Sequence, residues 1–130
     1  MVKVQIHEFD PIIYPFKLWV VISNNLPEIE SNFIEGSTSN PIDLNNIENH
    51  ADAFVLDGYL IHKETRKNGF LVVFRNKVAC TVPVMAHEAT HAARFIWDHL
   101  GEENTGTEAD AYLVEWIVDC INQVRTNKFK

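Results

Sequence analysis

Alternating apolar positions fill the first part of this chain and helical periodicity fills the end, and that order constrains the fold more than any other feature. From about Val82 to Leu100 the apolar spacing predicts a helix, with Thr81 as N-cap, Pro83 in the first turn and Gly101 as the stop. A second helix is predicted from about Thr107 to Val124, with Leu113, Trp116, Ile117, Cys120 and Val124 as its apolar stripe. Upstream, Val2 to Phe9 alternates as a strand does, and so does Phe16 to Ile22. Leu26 to Phe33 reads as a short helix with Pro27 in its first turn, and Gly36 to Asn49 as loop. Phe54 to His62 and Phe70 to Phe74 read as a hairpin closed by Lys67-Asn68-Gly69, because Asn-Gly tolerates the positive φ of tight turns. Phe70 to Phe74 is apolar without alternation, as in a strand covered on both faces. Asp57-Gly58 marks a bulge or turn. Strands first and helices last imply an α+β domain: a small, mostly antiparallel sheet packed against two long C-terminal helices, with residues 1–130 forming one domain.

With 46% apolar residues the chain can bury a core without disulfides. Cys80 and Cys120 match no paired-ligand spacing, and Cys120 reads as a buried free thiol on an apolar helical face. A net charge of −7 argues against nucleic acid as a partner, since phosphate binding needs a basic surface. No apolar run is long enough for a membrane span, and Met1 to Asp10 lacks the apolar core of an export signal. The expectation is an intracellular protein with no membrane association. Its oligomeric state is not legible.

The sharpest local signal is His87-Glu88-Ala89-Thr90-His91 inside the first long helix. Four residues advance a helix by about 6 Å and 40°, so the two imidazoles share a face and can converge on one ion. Zinc is the expected cofactor, since zinc–nitrogen distances of about 2.0–2.1 Å are reachable from that spacing. Glu88 lies about 100° around from His87, beside the metal rather than on it. There a carboxylate can serve as general base towards a water activated by zinc, and return the proton to a leaving amine. Ala86, Ala89, Ala92 and Ala93 leave room for another element to approach closely.

A zinc enzyme normally uses three protein ligands and one open position. His99 lies about 12 Å along the helix from His91 and is too far to join. The downstream acids are Glu102, Glu103, Glu108, Asp110, Glu115 and Asp119. On an ideal helix Asp110 lies on the apolar stripe and Glu108 nearly opposite it. Each also fits a capping box, in Thr105-Gly106-Thr107-Glu108 and Thr107-Glu108-Ala109-Asp110. Upstream, His62 or His50 could serve instead, although His62 on its strand reads first as a structural histidine.

The run His87-Glu88-Ala89-Thr90-His91, followed by Glu108-Ala109-Asp110-Ala111-Tyr112-Leu113-Val114 and Trp116, resembles a group of small zincin-like metallopeptidases encoded by bacteriophages and prophages. Ile13-Tyr14-Pro15 and Lys17-Leu18-Trp19-Val20 are similar to that group too, so the likeness covers about two-thirds of the chain. The resemblance implies a minimal zincin-like fold, a zinc-dependent peptidase and a cytoplasmic location in a bacterial host cell. It also implies Glu108 as third ligand, as in the gluzincin branch. Tyr112, one turn beyond Glu108, could then donate its hydroxyl to the oxyanion, against the competing role of a core tyrosine. The partner would be a protein or peptide substrate. Two other functions fit the same residues: a zinc-dependent hydrolase acting on a non-protein amide, and a zinc-stabilised module that binds a host protein without turnover. Glu88 argues against the last, since a purely structural zinc site needs no base.

Overall fold

A computed structural model describes residues 4–12, 14–44, 52–101 and 106–127. It is an α+β fold with one mixed, mostly antiparallel sheet and two long C-terminal helices. The strands are β1 (His7–Phe9), β2 (Lys17–Ile22), β3 (Phe33–Glu35), β4 (Ala53–Val55), β5 (Leu60–His62) and β6 (Asn68–Phe74). The helices are α1 (Leu26–Glu30), α2 (Val82–Leu100) and α3 (Gly106–Thr126).

The sheet runs β1-β2-β6-β5-β3, with β4 also pairing β6. Only β2 and β6 are parallel; the register places Lys17 opposite Gly69 and Ile22 opposite Phe74. These two central strands are buried on both faces, as the unbroken apolar run of β6 predicts. Leu18, Val20, Phe70, Val72 and Phe74 face α2 and α3, packing on Ala89, Ala92, Ile96, Ile117 and Ile121. Trp19, Val21, Leu71 and Val73 face the other way, onto Ile29, Phe33, Ile42 and Leu44.

The strand expected over Val2 to Phe9 forms only at His7–Phe9 among the described residues, and three further sequence expectations need correction. The helix expected over Leu26 to Phe33 ends at Glu30, and Phe33 opens strand β3, which pairs with β5. Ser31 Oγ and Asn32 Nδ2 both donate to the Glu28 carbonyl, which ends the helix early. Secondly, Phe54 to His62 is interrupted. Leu56 N–H reaches the Leu71 carbonyl and Leu60 lies opposite Gly69, so Asp57, Gly58 and Tyr59 together face Phe70. Gly58 takes φ 97° in this bulge. Thirdly, Asn68-Gly69 is not the hairpin turn. Lys63 to Lys67 makes the turn, with Arg66 at φ 63°, and Gly69 is already strand. A Cβ on Gly69 would collide with the Lys17 carbonyl and the Trp19 ring, so glycine serves close strand approach there rather than turning. The predicted loop beyond Gly36 is partly buried: Ile42 and Leu44 join the core, while residues 45–51 lie outside the described residues.

The α2–α3 pair is an antiparallel hairpin. Trp97 near the end of α2 meets Asp110 in the first turns of α3, and Arg125 at the end of α3 lies within electrostatic reach of Cys80 just before α2. Ala89, Ala92 and Ala93 are at most 1% exposed, so the backbone of α2 sits close to its neighbours. Cys80 and Cys120 are both buried and form no disulfide. Among the described residues no helix is long and apolar enough to cross a membrane.

Candidate metal centre

Thr81 starts α2 by accepting the Val84 N–H on its hydroxyl, and Pro83 fixes the first turn. Gly101, at φ 77°, closes the helix in the left-handed region. The intervening helix puts His87 and His91 on the exposed side and Glu88 on the buried side.

The two imidazoles turn their Nε2 atoms to within 3.1 Å of each other, with ring centroids 4.6 Å apart and planes at 83°. Phe95 stacks on His91 at 6.2 Å, one turn further on. Thr90 donates its hydroxyl to the Ala86 carbonyl, so it offers no competing group to the pair. Glu88 is 6% exposed, the one charged residue in the core of the described residues. Burial pushes its carboxyl up from the ordinary value, against a smaller opposing pull from His87 and His91. Ligand atoms of His87, Glu88 and His91 all lie within 4.8 Å of one another, and among the described residues no other His, Cys, Asp or Glu completes such a group.

The two imidazoles could supply two of the three protein ligands that a catalytic zinc normally takes. Tetrahedral ligands at about 2.05 Å stand about 3.3–3.4 Å apart, so the imidazole nitrogens need to part by only about 0.3 Å. A single N–H···N hydrogen bond between neutral rings satisfies the same geometry without an ion.

The remaining candidates fall elsewhere. Asp110 accepts the Trp97 indole N–H at 2.9 Å, and is thereby committed to holding the α2–α3 hairpin. Trp97 lies six residues beyond His91, about 9 Å along α2. Glu108 is exposed on α3 and does not join the His87–Glu88–His91 group. Tyr112 is 66% exposed, so its competing role as a core tyrosine is excluded. It lines an apolar groove with Tyr14 and Trp116. Its exposure follows from helix phase: Leu113, Ile117, Cys120 and Val124 form the buried stripe, Trp116 lies at its edge, and Tyr112 falls outside it. His62 accepts the N–H groups of Glu64 and Thr65 on Nδ1 and packs against Trp19 and Phe33. It is a turn-forming histidine on the sheet face away from α2. His50 lies outside the described residues. The Trp97–Asp110 lock has only a weak sequence signal, an acid on the apolar stripe of α3.

Compared with known protein families, characterised proteins and solved structures, the chain matches none.

Proposed function

We propose that the chain is a zinc-dependent hydrolase of the zincin type, cleaving peptide bonds in a protein or peptide substrate. The observation that carries this reading is a convergent imidazole pair with a buried carboxyl one residue away on the same helical turn. A bound zinc would acidify a water and polarise a carbonyl. His87 and His91 would hold it through Nε2. Glu88 would take a proton during attack and return it to the leaving amine. Glu108, the third ligand implied by the zincin resemblance, would have to approach from the start of α3 on metal binding. The same resemblance underlies a bacteriophage or prophage origin and a bacterial cytoplasmic location.

Strand β4 supports the peptidase form of the reading. It pairs with β6 on one side, and among the described residues nothing pairs with its other edge. It also packs beside α2, with Ala53 and Val55 against the helix-side core. An extended peptide could add to that edge by main-chain hydrogen bonds and lie along the metal helix.

The test is hydrolysis of an unstructured protein such as casein by zinc-loaded chain. Wild type should cleave it. Glu88→Gln should keep zinc and fold but lose turnover by at least about a hundredfold, because proton transfer goes while binding stays. Equal activity in the two proteins would remove Glu88 from the chemistry.

A further inference from the structure

The start of α3 and the β1–β2 connection enclose an apolar groove of about 320 Å³, lined by Pro11, Tyr14, Ala109, Tyr112, Leu113 and Trp116. It shares no residue with the His87–Glu88–His91 group. Half its lining is aromatic with a polar tip. Among the described residues the hydroxyls of Tyr14 and Tyr112 and the indole N–H of Trp116 have no hydrogen-bond partner, and no unpartnered polar atom is buried. Those three groups therefore reach solvent, on residues that line the groove. Tyr112 is 66% exposed, and Ile12 beside Pro11 is 87% exposed, so the free protein leaves a large apolar surface in water here.

Aromatic walls tipped with hydrogen-bonding groups, the two phenols able to donate or accept and the indole able only to donate, suit a proline-rich segment. A polyproline II segment presents apolar pyrrolidine faces, has no internal hydrogen bonds and leaves its carbonyls bare as acceptors. Charge narrows the choice. Glu108 and Glu115 stand four residues before and three after Tyr112, so both flank it on the helix surface. Both are exposed, and neither makes an ion pair among the described residues. We propose that this groove binds a proline-rich, lysine- or arginine-bearing segment of another protein in the polyproline II conformation. Pyrrolidine rings stack on Tyr14, Tyr112 and Trp116, carbonyls accept from their hydroxyl and indole groups, and the cation sits by Glu115, which the zinc site does not use.

The test is titration of the ¹⁵N-labelled full chain with a synthetic acetylated peptide, Ala-Pro-Pro-Lys-Pro-Pro-Lys-Pro, watched at the indole N–H of Trp116. That signal should move and saturate. Replacing every proline with alanine should weaken binding by at least about tenfold, since the preformed helix and its ring faces are lost. Replacing lysine with glutamate should abolish it at low salt. Tyr112→Ala removes an exposed side chain, so it should fold as wild type and bind at least about tenfold more weakly. Glu115→Lys, with the aromatic walls intact, should weaken binding by about threefold or more. A Trp116 signal unmoved at millimolar peptide overturns the proposal, and so does equal binding of the alanine peptide.

Discussion

Asp110→Ala separates the two roles open to this acid. Its carboxylate accepts the indole N–H of Trp97 at 2.9 Å, and Trp97 is 7% exposed. Truncation leaves a nearly buried donor without its partner, which costs about 1–3 kcal/mol. Asp110 itself is half-buried, so water can replace part of the bond, and about 1.5 kcal/mol is the expected loss. For 130 residues that corresponds to a fall in Tm of about 5 °C. Trp97→Phe removes the donor while keeping most of the ring volume. The double variant should therefore show a coupling of about 1 kcal/mol in urea unfolding. Zinc content should be unchanged in Asp110→Ala. Additive single effects, or zinc lost from Asp110→Ala with Tm intact, would refute the hairpin-lock reading and restore Asp110 as a ligand.

Three further outcomes follow from individual contacts. Burial holds the Glu88 carboxyl above its ordinary value of 4.5, so the folded protein binds that proton more tightly than the unfolded chain does. Stability is therefore lost as pH rises from that value through the folded pKa. In chelator-treated protein, Glu88→Gln should be more stable than wild type at about pH 8 and equal to it at about pH 4, read by urea midpoints. Gly69→Ala should lose about 1–3 kcal/mol by the same assay, because its methyl group meets the Lys17 carbonyl and the Trp19 ring. His62→Ala should keep its full zinc complement by elemental analysis while losing stability, since His62 caps its turn through Nδ1.

Helical periodicity was the most legible property of the chain. The α2 bounds, its Thr81 and Gly101 caps and the buried stripe of α3 all follow from local spacing. The His87–His91 convergence was legible for the same reason, being set by helix geometry alone. Strand pairing was less so. The parallel β2–β6 match joins residues about 50 positions apart, and no local pattern encodes it. The Asn68-Gly69 pair illustrates the difficulty: the same dipeptide serves a tight turn or a close strand approach, and the Lys17 carbonyl and Trp19 ring on the neighbouring strand decide which. β3 was hidden because Phe33 satisfies a helical phase with Ile29 as well as a strand position opposite His62. The fate of Asp110 likewise depended on a partner, Trp97, thirteen residues away on another helix.

Elemental analysis of untagged protein, purified without chelator, bears most directly on the metal centre. About one zinc per chain is expected for wild type and for Glu88→Gln, and most of it should be lost from His87→Ala and from His91→Ala. Full zinc in both histidine variants, or none in the wild type after zinc loading, would mean that the 3.1 Å imidazole pair is a hydrogen bond and not a metal site.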